Sequence, residues 1–427
     1  MASSTPSETR TQATKPQPSK DLVDSKGNQA HIPDFSYQEL LNSIPKHCFE
    51  KSAILGLGYV LRDIGCLIAN FCLYHYVTGT ELVTSLPTPV KLAIMFLYTF
   101  MQGLFATGIW VIAHECGHHS FSSSPIISDI VGYILHTSLL VPYFSWQISH
   151  AQHHRNTNNT DRDVVYLPRT REKYAKEHGL HSHTLSETVQ ELPIITAIFL
   201  VGGQLLAWPL YLFTNVTSHN NYQNQPGDTG PHRRNGVFGG INHFDPKSPI
   251  FSPKDRFKVH LSNFGLCVVL FIIVRLGQLY GWGNLAVEYF VPWLWVNHWQ
   301  VAITYLNHTD PELPHYHNEV WTYVRGAGAT IDRRLGFIGK HLFHGVAETH
   351  VLHHYIPSIP FYHAAEATDA LKTVMGKSYH IDPEIGIFPF MSRLWQNVRS
   401  CHWVEENKSV KEGNGIVFFR NRNRIKY

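Results

Sequence analysis

The chain has 427 residues, of which 44% are hydrophobic and 13% aromatic, and its formal net charge is only +3. A charge so close to zero gives no reason to expect a nucleic-acid partner, because such proteins carry a strongly basic surface. The six cysteines are scattered and form no CxxC pair, which argues against a disulfide framework or a zinc ribbon. Histidine is the outlier, with 29 residues, many of them in tight clusters.

The apolar residues are concentrated in a few long stretches. Residues 1–30 have no apolar core of a signal peptide and are rich in serine, threonine, proline and lysine, so we expect a disordered cytosolic arm. A helix needs roughly 20 apolar residues to cross a bilayer. Four stretches meet this requirement, at about 53–77, 92–113, 262–280 and 284–306. Arg62 and Asp63 would be costly at mid-bilayer. We therefore expect the half of the first helix that carries them to lie at the interface, in preference to a buried ion pair.

Two further apolar segments are expected to be interfacial, or to enter the membrane and return. Residues 125–143 are too few to cross a bilayer. Residues 193–216 are long enough, but they contain Gly202, Gly203 and Pro209, where a helix can break.

Three short motifs concentrate histidine. The segment HECGH places His114 and His118 at positions i and i+4, and the segments HAQHH and HVLHH each place three histidines at i, i+3 and i+4. These two segments supply His150, His153, His154, His350, His353 and His354. On a helix such spacings bring side chains to one face, with Cβ atoms about 5–6 Å apart. Eight imidazoles exceed what one zinc ion takes, so the sequence predicts two metal ions.

Four more residues near these motifs are candidates for the same site. His308 ends the last apolar stretch, where it could be a ninth ligand or an interface residue. Glu115 and His344 are expected to orient ligands through hydrogen bonds rather than to bind metal. His119 would point about 100° away from its neighbour on a helix, so it is expected to have a supporting or structural role.

The histidine clusters can meet only if they lie on one face of the membrane, so we expect that 193–216 does not cross it. The positive-inside rule places the basic loops 144–192 and 217–260 in the cytosol, and with them both termini and the clusters. The sequence thus predicts an all-α integral membrane protein with about four transmembrane helices, interfacial or re-entrant helices and a cytosolic helical cap that holds two metal ions. Its membrane domain covers 31–420, and a tail covers 421–427.

At these motifs the chain resembles the membrane fatty-acid desaturases, in particular the oleate (Δ12-type) acyl-lipid desaturases of fungi and plants. The resemblance is carried by AHECGHH at 113–119, WQISHAQHH at 146–154, AITYLNHTD at 302–310, LPHY at 313–316, ETHVLHH at 348–354, PKHCF at 45–49 and GYVLRD at 58–63. It covers roughly residues 30–420.

That resemblance implies two iron ions held by nine histidines, with one further polar ligand acting through water. Carried over to this sequence, the ligands are His114, His118, His150, His153, His154, His308, His350, His353 and His354. Thr304, one helical turn before the last-span histidine, is the candidate for the water-bridging group.

The resemblance also implies a reaction and its partners. A lipid-linked acyl chain, oleate on phosphatidylcholine, would be converted to linoleate with O2 as co-substrate in the endoplasmic reticulum membrane. Electrons would come from cytochrome b5 and its NADH reductase as separate proteins, since no His-Pro-Gly-Gly haem motif occurs. Ala113 matches the desaturases rather than the acetylenases, which often carry glycine there.

Several other functions fit parts of the sequence. An ω3 or bifunctional desaturase, a hydroxylase, an epoxygenase or an acetylenase could use the same scaffold. The segment HECGH also matches the H-E-x-x-H pattern of zinc metalloproteases, with Glu115 as general base, but that leaves two clusters unexplained. A transporter or receptor that senses metal or protons would place its polar residues at the bilayer midplane rather than at one surface.

Overall fold

The computed structural model describes residues 22–177, 193–218, 240–406 and 415–420. Residues 1–21 of the predicted arm, residues 178–192 and 219–239 of the predicted cytosolic loops, and the tail at 421–427 lie outside these ranges. Residues 22–30 do not behave as a disordered arm, because Leu22 is fully buried and Ser25 is buried beside the C-terminal strand. The predicted arm therefore extends too far along the chain.

In the described residues up to His308, the regular elements are all helices. Its helices are α1 Tyr37–Ser43, α2 Ala53–Thr78, α3 Glu81–Thr84, α4 Thr88–Gly117, α5 Pro125–Ser138, α6 Tyr143–Asn156, α7 Arg171–Glu177, α8 Pro193–Thr214, α9 Arg256–Tyr280, α10 Trp282–Leu285 and α11 Val291–His308. A π-helical turn at Ala286–Phe290 joins the last two into one nearly continuous rod. Helix α2 begins where the Ser52 side chain accepts a hydrogen bond from the Leu55 backbone, which is a standard N-cap.

The last part mixes short helices with short strands. The helices are α12 Tyr323–Gly328, α13 His350–Tyr355, α14 Phe361–Met375 and α15 Ile387–Ser400, with a π-helical turn at Ile338–Leu342. The strands are β1 Pro314–Tyr316, β2 Asp332–Arg334, β3 Ile381–Ile385, β4 Trp403–Glu406 and β5 Ile416–Arg420. Strand β5 pairs antiparallel with β1 and β4, and β2 pairs parallel with β3. The protein is therefore mostly helical, as predicted, with little sheet.

Four helices within the described residues are long and apolar enough to cross a membrane. They are Ala53–Thr78, Thr88–Gly117, Thr196–Thr214 and Pro253–Tyr280. The number agrees with the sequence prediction, but these four include α8, which is predicted not to cross, and do not include the predicted span at 284–306. The predicted break in α8 is wrong, because the helix runs unbroken through Gly202, Gly203 and Pro209. Its packing against α11 offsets the one hydrogen bond that a proline removes.

Helices α5 and α6 form a sharply bent pair, with 108° between their axes. The bend falls at Leu140, which adopts a left-handed backbone conformation with φ of +59°. This turn ends the predicted interfacial segment and directs α6 back across the end of α4. It thereby brings the second histidine motif to the first.

Helix α4 is the centre of the molecule and packs against α2, α5 and α11. Its contact with α11 is close because Gly103 has no side chain. A Cβ at this position would lie 2.2 Å from the Cβ of Trp295. This approach sets the spacing of the two helices whose C-terminal ends carry His114 and His308.

Candidate metal centre

Four elements deliver histidine to one place: the ends of α4 and α11, the last turns of α6, and α13. His118 caps the end of α4, and the six-residue α13 carries the whole third motif. The side-chain nitrogens form two compact groups. The first is His114, His118, His150 and His353, and the second is His153, His308 and His354. In each group every contributing nitrogen lies within 4.8 Å of the others.

The remaining two predicted ligands lie between these groups. The Nε2 atom of His154 is 3.1 Å from that of His150, which adds it to the first group. The Nε2 atom of His350 is 3.0 Å from that of His308 and 3.1 Å from that of His354, which adds it to the second. The rings of His154 and His354 stack with centroids 4.3 Å apart, so the two groups are neighbours. All nine predicted histidines are thus brought together.

The nitrogen spacing fits metal ions. Besides the three contacts just described, Nε2 atoms meet at 2.9 Å between His114 and His353 and at 3.0 Å between His118 and His150. Ligands on adjacent corners of an octahedron are about 3.0 Å apart when metal–nitrogen bonds are about 2.1 Å. Neutral imidazoles cannot satisfy such a cluster by themselves, since each ring has one donor and one acceptor nitrogen. The donor set and its geometry therefore suit two nitrogen-rich metal ions.

The environment keeps these imidazoles in the neutral form that binds metal. Burial, and to a lesser extent nearby His153, lowers the pKa of His350 to about 3. Burial likewise holds the pKa of His354 well below its usual range. The outward Nδ1 atoms of His114, His154, His308 and His350 are buried and have no hydrogen-bond partner. Packing, rather than hydrogen bonds to Nδ1, thus orients these four rings toward the centre of the cluster.

Two of the predicted ligands have hydrogen-bond partners that were not predicted from the sequence. Asp163 Oδ1 lies 2.7 Å from Nδ1 of His153, and both side chains are only 2% exposed. The Thr157 hydroxyl lies 3.1 Å from Nδ1 of His354. Such partners fix the ring orientation of a metal-binding histidine. The only signal in the sequence was the position of both residues in the polar loop directly after the second motif.

The three predicted supporting residues have different surroundings. Glu115 is buried with one oxygen 3.5 Å from Nδ1 of His353, and its other oxygen accepts a hydrogen bond from the Ser120 hydroxyl, so its orienting role stays a prediction. His119 instead hydrogen-bonds Asp129 at 2.9 Å and is partly exposed. His344 hydrogen-bonds Asp63 at 2.7 Å, so the structure gives neither of these two histidines a bond to a predicted ligand.

The Asp63 carboxylate is buried and lies 2.7 Å from a nitrogen of Arg62, whose side chain is 38% exposed. The ion pair is therefore only half-buried, and the expected position of this half of the first helix at the interface stays a prediction. Together with His344, Asp63 ties α2 to the loop that precedes the third motif.

A buried polar network fixes that third motif from the other side. Asp332 accepts a hydrogen bond from the Val351 backbone at 2.8 Å, inside α13. The neighbouring Arg333 is itself buried, donates to the Leu306 carbonyl at 2.8 Å and pairs with Asp310 and Asp382. Strand β2 therefore connects α13 to the end of α11, and both deliver histidines to the second group.

A cavity of about 200 Å³ leads to the histidine cluster. Its walls come from α4, α8 and α11 and are mainly aromatic or aliphatic: Trp110, Val111, Trp208, Tyr211, Val301 and Ile303. Its end is formed by His114, His150, His153, His308, His350 and His354. Thr304 also lies in its wall, beside the cluster. An apolar channel that ends on a nitrogen-rich centre can hold a hydrocarbon chain against it.

Comparison with known proteins identifies the family. The family model for fatty acid desaturases matches residues 91–384. An oleate hydroxylase of Claviceps purpurea is 51% identical over 405 residues, which cover 95% of this chain and 84% of that protein. The endoplasmic reticulum omega-6 fatty acid desaturase isozyme 2 of Glycine max is 38% identical over 390 residues, covering 91% and 92%. A delta(12) fatty acid desaturase of Mortierella alpina is 37% identical over 399 residues, covering 91% of each chain.

The match extends over most of the chain and includes every histidine motif. Members of this family act on fatty acyl chains as oxidoreductases. The apolar helices and the buried histidine cluster agree with a membrane-bound metalloenzyme of this kind. The chain belongs to the fatty acid desaturase family.

Proposed function

We propose that this protein is a Δ12-type desaturase, which converts lipid-linked oleate to linoleate with O2 and two iron ions. The observation that supports this most directly is the cavity, which is apolar along its walls and ends on the histidine cluster. The 38% and 37% identical relatives, described as omega-6 and delta(12) desaturases, support the position of the new double bond.

The iron pair, when bound, would supply the oxidant that removes hydrogen from an unactivated methylene group. His114, His118, His150, His154 and His353 would hold one ion. His153, His308, His350 and His354 would hold the other.

The protein's own contribution is positioning. Aromatic side chains such as Trp110, Trp208 and Tyr211 confine the acyl chain and exclude water from its reacting carbons. A misplacement of about 1 Å can cost about 100-fold in rate. The shape of the cavity near His114 and His308 therefore decides which methylene reacts.

The membrane location and the partners follow from the same proposal. The Glycine max relative is described as an endoplasmic reticulum isozyme, which supports that membrane for this chain, with the histidine cluster on the cytosolic face. Cytochrome b5 and its reductase would deliver electrons there, and phosphatidylcholine would carry the oleate. Arg155, near the end of α6, and Arg162, in the loop that follows, are exposed and would attract an acidic electron carrier.

Hydroxylation of oleate is the second candidate, and one observation favours it: the 51% identical relative is described as an oleate hydroxylase. The two outcomes share the site and the first hydrogen removal. A desaturase removes a second hydrogen from the adjacent carbon, whereas a hydroxylase places one oxygen atom on the first carbon. The residues that bind metal would be the same in both cases.

A fatty-acid profile distinguishes the two outcomes. The chain would be expressed in a yeast that makes no polyunsaturated fatty acids, and total fatty acids would be analysed by gas chromatography–mass spectrometry. We expect a linoleate peak that is lost in His150→Ala and kept in His363→Ala, since His363 lies outside the cluster. A hydroxylated oleate peak would establish the second candidate instead.

Metal analysis distinguishes a desaturase or hydroxylase from a zinc protease. The purified chain should contain two iron ions, and His150→Ala should contain fewer. One zinc ion per chain, without a new fatty acid, would overturn both oxygen-dependent functions and would favour the protease pattern around Glu115.

A further inference from the structure

The segment after α11, which the sequence predicts to be soluble, exposes a compact group of large apolar side chains. Phe337 is 71% exposed, Ile385 is 56% exposed and Phe388 is 85% exposed. They come from two stretches of chain that are held side by side. Strand residue Arg334 pairs with Ile385, and its carbonyl accepts a hydrogen bond from the Gly386 backbone at 2.8 Å. We call Phe337, Ile385 and Phe388 the apolar patch.

The loop that begins at the patch descends below the histidine cluster along the long helices. The carbonyl of Leu342, in the π-helical turn that follows Phe337, would be 2.5 Å from a Cβ at Gly108 of α4. Gly108 is six residues before His114. With a rise of about 1.5 Å per residue, it lies about 9 Å from the cluster toward the opposite end of the helix.

A second contact gives a similar depth. The ring of Phe343 packs against Trp299 of α11, with centroids 5.4 Å apart. Trp299 is nine residues before His308, or about 14 Å along the helix axis. The loop between β2 and α13 therefore descends beside α4 and α11 into the layer where those helices are apolar.

The patch is also continuous with the apolar core of the long helices. Its neighbours Ile338, Ile387 and Met391 pack against the buried cluster that contains Trp110 and Trp299. Large apolar groups that are exposed together normally mark a surface that is covered in the native state. Because the neighbours of the patch pack directly on the membrane helices, the medium that best matches the patch is the lipid around those helices.

The charged residues around the patch define its depth. Lys340 is exposed one turn after Phe337, and Glu384 is exposed next to Ile385. A lysine can keep its apolar stem in lipid and reach the headgroup phosphates with its ammonium group. An exposed carboxylate, in contrast, must remain near water. This combination fits the boundary between headgroups and acyl chains rather than the centre of the bilayer.

We propose that the apolar patch inserts Phe337, Ile385 and Phe388 into the lipid leaflet on the side of the histidine cluster. Helix α15, which starts at the patch, packs against α8 and α11, two walls of the acyl cavity. Insertion would therefore hold this wall at the depth where the acyl chains of membrane lipids are found. The proposal rests on the exposure and depth of the patch, and it holds whether the reaction is desaturation or hydroxylation.

Site-specific photocrosslinking tests the proposal on the full chain. The photoreactive amino acid p-benzoylphenylalanine would replace Phe388 in protein reconstituted into phosphatidylcholine nanodiscs. The matched control would carry it at Gln396, an exposed polar position eight residues later in the same helix, about 12 Å along its axis. Because both positions are exposed, neither change removes core packing, and gel filtration with the fatty-acid profile would verify that each variant is folded.

We expect lipid adducts at position 388, measured by mass spectrometry of the intact protein, in at least fivefold higher yield than at position 396. A replacement at Phe337 should behave like the one at 388. Equal yields at 388 and 396 in folded protein would overturn the proposal. So would a crosslink between two copies of the chain at 388, because the patch would then be covered by a protein surface instead of lipid.

Discussion

The contact between Asp163 and His153 gives the sharpest prediction for a single residue. Asp163→Asn keeps the size of the side chain but removes the negative charge that fixes the ring of a predicted ligand. Loss of such a partner typically lowers metal affinity or activity by about 10- to 100-fold. We therefore expect less iron bound per chain and at least tenfold less product, measured by metal analysis and fatty-acid profiling.

Asp161→Asn is the matched control, since Asp161 lies in the same loop but is exposed. It should bind iron and form product as the unchanged protein does. If Asp163→Asn retained full iron content and activity, the hydrogen bond to His153 would have no role in holding the metal.

Residue spacing within one helix was enough to predict which histidines of each motif share a face, because the i, i+3 and i+4 relations are fixed by local geometry, whereas the inclusion of His308 came from the family resemblance. It could not predict Asp163, since its contact depends on how the loop after α6 turns back. It also could not predict the partner of His344, because Asp63 is far away in the sequence. Metal binding by the nine histidines stays a prediction.

At the scale of helices, the close contact between α4 and α11 leads to a prediction about stability. Gly103→Ala would place a Cβ 2.2 Å from that of Trp295, so the helices must move apart. Overpacking of this kind costs about 1–3 kcal/mol. We expect a lower unfolding temperature in detergent and reduced iron binding, because the same helices position His114 and His308.

Gly202→Ala in α8 provides the opposite case, because a Cβ there meets no atom within 4 Å. Alanine is the better helix former by up to about 1 kcal/mol, so this variant should be as stable as the unchanged protein or more stable. Equal unfolding temperatures for Gly103→Ala and the unchanged protein would show that the helix contact adapts without cost.

Hydropathy predicted the number of long apolar helices and three of the four, but it did not predict α8 as one of them. Pro209 and the two glycines of α8 resemble a break in the sequence, yet packing against α11 keeps the helix continuous. The descent of the loop at 335–343 was also not predictable. Its apolar residues are too few for a membrane segment, and only the contacts with Gly108 and Trp299 show its depth.

At the scale of the whole molecule, metal removal should destabilise some elements more than others. The histidine cluster joins α4, α6, α11 and α13, which come from distant parts of the chain, and their imidazoles have few other partners. Metal that binds only the folded state stabilises it, by about 2.7 kcal/mol at a free concentration 100 times the Kd. Removing iron with a chelator under reducing conditions should therefore lower the unfolding temperature of the whole chain.

The loss of stability should be largest in the elements that are held in place mainly by metal. Helix α13 has only six residues and cannot be stable alone, whereas the middle of α4 is held by apolar packing around Gly103. Hydrogen–deuterium exchange should therefore rise strongly at 350–355 and little at 99–110 after chelation. The His363→Ala variant should respond in the same way, because its histidine lies outside the cluster. Unchanged exchange at 350–355 would mean that the Asp332 network, and not metal, holds the third motif in place.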